Sequence, residues 1–192
     1  HKNMNLKKLF AQLKNVLKPH DTLIVGVSGG PDSTMLLHML VEFSVQYPLR
    51  IVVAHVNHGI RGKAADEDEK FVHKLTKKYK LIFESQRIVL TGSHLEEQGR
   101  HARRDFFEEL LAQYKAQWIL TAHTQDDQLE TIMFNFIRGS GIAGLAGMRV
   151  MNRFYYKPLL ATSKKEIMEF LRHNKLGFRL DAMNEDTKYS RV

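Results

Sequence analysis

The chain contains no cysteine among its 192 residues. That removes disulfides, thiolate zinc sites, iron–sulfur ligation and thiol nucleophiles together. It also lacks any apolar run approaching the length of a membrane span. No apolar signal region opens the chain, and a cytoplasmic location is expected. Residues 1–3 read as the remnant of an expression tag, with Met4 as the natural start. Low-complexity stretches and internal repeats are absent. What is present is a globular composition: 43% hydrophobic residues, enough for a core. Lysine and arginine number 29 against 21 acids, a surplus of +8. Such a surplus favours a polyanionic partner, because phosphate neutralisation releases counterions.

Hydrophobic periodicity predicts helices over residues 7–17, 32–43, 66–79, 126–137 and 163–174. In the third of these Phe71, Val72 and Leu75 face inward. Ser93-His94-Leu95-Glu96 has the pattern of a capping box and opens a further helix to about Tyr114. Short apolar, β-branched runs predict strands over residues 22–27, 50–56, 81–89, 118–122 and 153–156. Strands that alternate with helices and read as near-continuous apolar runs imply an α/β fold, with a mostly parallel sheet covered on both faces. In such sheets ligands bind at the carboxyl ends of the strands. Residues 28–33, 55–61 and 122–127 are therefore expected to converge. Phe10, Phe43 and Phe71 sit at core spacing, and Trp118 reads as packing.

The run Ser28-Gly29-Gly30-Pro31-Asp32-Ser33 follows a strand and opens a helix. Two glycines let backbone approach a phosphate closely, and the helix N-terminus adds orphan N–H donors. Ser28 and Ser33 carry hydroxyl donors, and Pro31 suits a first helical position. An acid at Asp32 fits an anion site when it holds Mg²⁺ against the phosphates. The plain alternative, a turn with Asp32 and Ser33 as caps, explains the residues less completely. The loop is neither a Walker A sequence nor a dinucleotide fingerprint. His55, His58 and His123 lie on converging loops, so zinc is conceivable, but neither Cys nor a helical His pair supports it. Gly139-Ser140-Gly141 reads equally as a second phosphate cradle or as a glycine helix cap.

Ser-Gly-Gly-X-Asp-Ser is the signature that this chain shares with the PP-loop, or ATP-pyrophosphatase, superfamily, whose members split ATP between the α and β phosphates. Further segments resemble one family within it, tRNA(Ile)-lysidine synthase. They are His55-Val56-Asn57-His58-Gly59-Ile60-Arg61-Gly62, Glu96-Glu97-Gln98-Gly99-Arg100-His101-Ala102-Arg103, and Thr121-Ala122-His123-Thr124-Gln125-Asp126-Asp127-Gln128-Leu129-Glu130-Thr131. Arg138-Gly139-Ser140-Gly141, Gly144-Leu145-Ala146-Gly147-Met148, Pro158-Leu159-Leu160 and the tail residues Asp181, Asn184, Asp186, Tyr189 and Arg191 follow in the same order. Thr124, Gly99, Arg104 and Lys157 depart from the usual residues. The resemblance implies a Rossmann-like PP-loop domain over residues 1–192, with an N-terminal helix to about residue 20 and a C-terminal appendage over 150–192. It also implies that the tRNA-holding C-terminal domains of the family lie outside this chain.

The activity implied by the resemblance is ATP-dependent ligation of lysine to C2 of the wobble cytidine in tRNA(Ile) with a CAU anticodon, through an adenylated base. ATP is the co-substrate, with Mg²⁺. Ser28, Gly29, Gly30, Pro31, Asp32, Ser33, Ala54, Asn57 and His58 are the expected ATP contacts. Asp127, Arg103, Asp32 and His123 are the expected catalytic set, with Asp32 and Asp127 as candidate Mg²⁺ ligands. Arg100 and Arg61 are assigned to tRNA. No motif identifies a lysine site, and homodimerisation stays open. The alternatives are another PP-loop enzyme (a tRNA thiolase or an amidating synthetase) and a non-catalytic nucleotide- or RNA-binding module. The missing cysteines weigh against the thiolase.

Overall fold

A computed structural model describes residues 6–59 and 62–180. Along the chain run α1 (Leu6–Val16), β1 (Thr22–Gly26), α2 (Pro31–Ser44), β2 (Arg50–Asn57), α3 (Lys63–Lys78), β3 (Ile82–Arg87) and α4 (Leu95–Gln113). There follow β4 (Trp118–Leu120), α5 (Gln125–Ile137), α6 (Gly141–Leu145), β5 (Met151–Asn152), β6 (Tyr155–Tyr156) and α7 (Lys164–His173). The strands form one sheet in the order β3-β2-β1-β4-β6-β5. All neighbours are parallel except the β5–β6 pair. The expected α/β architecture is thus realised.

Alternation along β1 and β2 divides the core. Leu23 and Val25 on β1, with Ile51 and Val53 on β2, face α1, α2, α3 and α7. Ile24, Val52 and Ala54 face α4 through Phe106, Phe107 and Leu110. Residues one apart on a strand point to opposite faces, so a strand buried on both sides needs apolar residues at every position. α2 is apolar nearly all round and is the most buried helix: Met35, Leu36, Leu37, Met39 and Leu40 are inaccessible. α7 packs on α2 through Ile167 and Leu171, so it joins the same core as the N-terminal elements. Val72 and Leu75 are buried as expected, Phe10 packs against Phe43 with the rings tilted, and Trp118 packs edge-on against Tyr156.

Two local expectations are corrected. The capping box at Ser93 does not form: α4 starts at Leu95 behind His94, which is left-handed (φ 58°) and makes no side-chain cap. The Gln98 side chain bonds the carbonyls of Thr91 and Ser93 instead. The capping boxes that do form are Thr124–Asp127 before α5 and Ser163–Glu166 before α7. The strand expected over residues 153–156 is a two-residue hairpin arm, because Arg153 turns the chain at φ 56°.

Candidate active site

The chain runs from β1 outward to β2 and β3, then returns to place β4 on the other side of β1. The carboxyl ends of β1 and β4 therefore flank the point where strand order reverses, the place where open α/β sheets hold ligands. A cleft of about 910 Å³ opens there. The phosphate loop, the end of β2 and the segment after β4 all line it, and α4 contributes Arg100 and Arg103. The convergence expected from sequence is found. Arg61 and the tail from Asp181 onward lie outside the described residues.

The loop after β1 is held in shape by its own polar groups. Ser28 N–H donates to Ser33 Oγ at 3.0 Å, and the two serine hydroxyls lie 3.1 Å apart. Thr34 Oγ1 donates to the Gly29 carbonyl. Gly29 has φ 97°, a region in which a side chain would be strained. Gly30 is the N-cap of α2 and offers no side chain, so the helix's leading N–H groups lack a cap. Such groups, with the positive end of the helix dipole, form an anion site. From the far end of the chain, Arg179 N–H donates to the Gly29 carbonyl at 2.8 Å. Its guanidinium pairs with Asp68 at 2.9 Å and Glu67 at 3.1 Å on α3. The phosphate loop is therefore clasped to α3.

At the end of the loop, where α2 begins, Asp32 meets Asp127 and Lys164. Burial raises the Asp32 carboxyl to about 6, Lys164 opposes the shift, and Asp127 and Asp126 reinforce it. Asp127 moves the other way. Burial disfavours its charge, but the Thr124 N–H and hydroxyl, together with Lys164, outweigh it and hold it below the ordinary range. Asp127 Oδ2 takes both Thr124 donors, at 2.8 and 3.0 Å, while Oδ1 lies 3.4 Å from Lys164 Nζ. Asp126 accepts the Lys164 N–H at 2.9 Å. Burial works against the Lys164 charge, but Asp127 and Asp32 raise its pKa overall. Asp127 is thus both a helix cap and a wall of the cleft.

Cations line the remaining wall. Burial lowers the pKa of Arg103, with Arg100 beside it adding repulsion. Burial lowers Lys157 as well. His123 is pulled down by burial and then by Lys157, against the opposing effect of Asp127. Its Nδ1 contacts Thr121 Oγ1 at 2.9 Å. A neutral His123 therefore stands among fixed positive charges.

At the end of β2 the residues differ in what they have left to offer. Asn57 is buried, and its amide is committed to Asp66 and Glu69, while its oxygen takes the Gly59 N–H. Its side chain fixes the loop and α3. His55 Nδ1 donates to the Val27 carbonyl at 2.8 Å. The pairing of β1 with β2 stops at Gly26 and Ala54, whereas β2 runs on to Asn57. The β2 edge past Ala54 is consequently open towards the cleft. His58 lies over Gly99 of α4. Among the described residues no group of three or more His, Asp or Glu side chains gathers at metal-binding distance. A divalent ion would take the Asp32 and Asp127 carboxylates and complete its shell with phosphate and water, as Mg²⁺ commonly does.

Sequence reasoning assigned no role to Lys164, Arg179 or Lys157. Lys164 follows the N-cap of a Ser-X-X-Glu box, a readable signal that places it at the start of α7. No local signal marks Arg179. For Gly139-Ser140-Gly141 the structure supplies a helix end: Gly139 N–H bonds the Phe136 carbonyl and Ser140 N–H that of Asn135, with Gly139 left-handed at φ 68°. That is a Schellman cap.

Among solved structures, the U34-tRNA thiolase NcsA from Methanococcus maripaludis superposes with a TM-score of 0.75 at 21% identity, over 97% of this chain and 67% of that one. That likeness concerns the fold alone. In sequence, a protein of Clostridium tetani named tRNA(Ile)-lysidine synthase is 40% identical over 184 residues, covering 92% of this chain. One of the same name from Clostridium acetobutylicum is 39% identical over 184 residues. The chain spans about two fifths of the length of these relatives, 39% and 40%. The family model described as PP-loop domain matches residues 1–192. With the loop, the strand order and the acid pair in place, the chain belongs to the PP-loop domain family.

Proposed function

We propose that this chain is the catalytic domain of a tRNA(Ile)-lysidine synthase, which adenylates the wobble cytidine of a CAU anticodon and replaces AMP with lysine. The observation that carries the reading is the pairing of an uncapped phosphate loop with the acids Asp32 and Asp127 across a cleft walled by Arg100, Arg103 and Lys157. The shared name of the relatives supplies the substrate.

ATP lies along the open end of β2, with its triphosphate on the loop of residues 28–33. Backbone past Ala54 reads the base, while Asn57 and His58 shape that wall. In the first step the cytidine O2 attacks the α-phosphorus, the bond to the β-phosphate oxygen breaks, and pyrophosphate leaves onto the α2 N-terminus. Arg103 stabilises the charge that develops on the α-phosphate oxygens. His123, kept neutral, donates a hydrogen bond to phosphate without adding charge. In the second step the lysine ε-amine attacks C2, the C2–O2 bond breaks, and AMP departs with the oxygen. Mg²⁺ held by Asp32 and Asp127 would neutralise the phosphates.

The opposite shifts of the two acids divide their roles. A base needs a pKa near the working pH. Asp32 is close to that condition when no cation is beside it, so after pyrophosphate has left it can take the proton released by the attacking lysine amine, whereas Asp127, held low by Thr124 and Lys164, is suited to holding a cation. Arg100 and Arg61 are assigned to contacting the tRNA. The fold is shared with a thiolase described with a [4Fe-4S] cluster, but this chain carries no cysteine to ligate one.

The test is product analysis of α-labelled ATP with Mg²⁺, lysine and a CAU-anticodon tRNA transcript. AMP formation that requires tRNA and rises with lysine supports the synthase. ADP formation overturns it, as does labelled sulfur or ammonia entering product in place of lysine. Asp127→Asn is expected to bind ATP yet lose turnover. Full activity in that variant would remove Asp127 from the mechanism.

A further inference from the structure

His55 breaks the pattern of its strand. Ile51 and Val53 on β2 enter the core that α2 and α3 cover. Position 55 continues that face, where alternation asks for another apolar residue. It holds an imidazole instead, 2% exposed. A buried polar side chain is the informative departure, because its lost hydration must be offset by hydrogen bonds. Only one ring nitrogen has such a bond. Nδ1 lies 2.8 Å from the Val27 carbonyl, so Nδ1 carries a proton. Nε2 is buried and has no hydrogen-bond partner among the described residues. An unpaired buried polar atom is destabilising, so the use of the imidazole lies in what Nδ1–H does.

The strand register shows what that is. β1 pairs with β2 from Thr22 opposite Arg50 to Gly26 opposite Ala54, so Val27 stands beside His55. Val27 N–H still donates to the Ala54 carbonyl at 2.9 Å. In a continued parallel ladder the Val27 carbonyl would next accept from Val56 N–H. The His55 side chain takes that carbonyl in its place. Backbone polar groups along a strand point to its two neighbours alternately. The Ala54 carbonyl points to β1, and the Asn57 carbonyl accepts from Ile88 on the β3 side. The N–H and C=O of Val56 therefore turn towards the β1 side. There β1 has already given way to the phosphate loop, and Val56 lines the cleft.

We infer that His55 is a positioning residue: its Nδ1–H occupies the Val27 carbonyl, ends the β1–β2 ladder, and leaves the Val56 N–H and C=O to read the adenine of ATP. The inference rests on the ATP site proposed above and deepens it. An N–H beside a C=O matches the acceptor N1 and the donor amino group of adenine. Guanine presents a donor and an acceptor at those places in the opposite order, so both pairings fail. Without Nδ1–H the Val27 carbonyl is a buried acceptor in need of a donor, and the ladder offers Val56 N–H. One more ladder bond then consumes half of the base-reading edge.

Three substitutions at position 55 separate the two nitrogens. Asparagine carries a donor where Nδ1 lies, glutamine carries one where Nε2 lies, and leucine carries neither. ATP and GTP binding by calorimetry needs no tRNA or lysine, so it is decided separately from the synthase reading. His55→Asn should keep the ATP dissociation constant within about threefold of wild type. His55→Gln and His55→Leu should raise it about tenfold, the effect of losing roughly one hydrogen bond. The preference for ATP over GTP should fall by a similar factor in those two and hold in His55→Asn. That ratio does not depend on how much of the protein folds, so a merely structural loss would not move it. Nitrogen NMR of histidine-labelled protein should show His55 protonated on Nδ1. A neutral ring protonated on Nε2 overturns the inference. So does a wild type that binds ATP and GTP alike, a His55→Asn variant no better than His55→Leu, or an unchanged ATP preference in His55→Gln.

Discussion

Replacing Asp32 by Asn is expected to make the protein more stable while abolishing its chemistry. The Asp32 carboxyl sits at about 6 instead of the ordinary 3.8, because burial and the neighbouring acids disfavour its charge more than Lys164 favours it. A folded-state pKa above the unfolded one means that ionisation costs folding energy. The cost is absent below about pH 4, grows as pH rises to about 6, and is constant above that. About two pKa units correspond to ~3 kcal/mol. Asp32 is only half-buried, so solvent screening reduces this to roughly 1–2 kcal/mol. For a domain of this size that gain is worth about 3–6 °C in melting temperature. The assay is a thermal melt of wild type and Asp32→Asn at intervals of pH without nucleotide. The two curves should coincide near pH 4, where both side chains are neutral, and separate to a plateau above about pH 6. A variant less stable than wild type at pH 7.5, or a difference independent of pH, refutes the argument. ATP with Mg²⁺ should narrow the gap by raising the wild type alone.

Gly26→Ala would place a Cβ 2.8 Å from the Phe107 ring, which is buried and lines the cleft. We expect a loss of about 1–3 kcal/mol and a raised KM for ATP. Gly99→Ala meets only ordinary contacts, at 3.4 Å to Leu90 and 3.5 Å to His58. It should stabilise α4 by about 0.5–1 kcal/mol, read as a higher denaturant midpoint with unchanged slope. Arg179→Ala releases Asp68 and Glu67 and loosens the phosphate loop, so KM for ATP should rise several-fold with kcat little changed. Lys164→Met removes the cation that holds Asp127 low, and the acidic limb of the pH–rate profile should move to higher pH.

The sheet was legible because β1 and β2 are buried on both faces and must be apolar at every position. The phosphate loop was legible because backbone approach demands glycine, and the demand is local. Where the answer depended on contacts far apart in sequence, local patterns fell silent. Ser93 has the letters of a cap, yet the chain enters α4 through a left-handed His94 and the serine is bypassed. Asp127 was read as functional, and the structure gives it a capping bond as well, so one residue serves both readings. Lys164 and Arg179 reach the cleft only because α7 and the segment after it fold back on α2 and α3, a tertiary fact that no window of the sequence contains. The apolar face of α5 was readable as a stripe but not as an outward one, since periodicity gives spacing and not direction: Leu129, Met133 and Ile137 are exposed.

The clasp at Arg179 also orders events in time. The phosphate loop leaves the ribosome before its fastener: the residue that ties it to α3 is made some 150 positions later. At about 5–20 residues per second that is an interval of roughly 8–30 s. During it the nascent chain has its glycines and serines but not the fastener. Nucleotide capture should therefore wait for the segment that carries Arg179, and a chain with its phosphate loop already synthesised does not yet hold that loop in place.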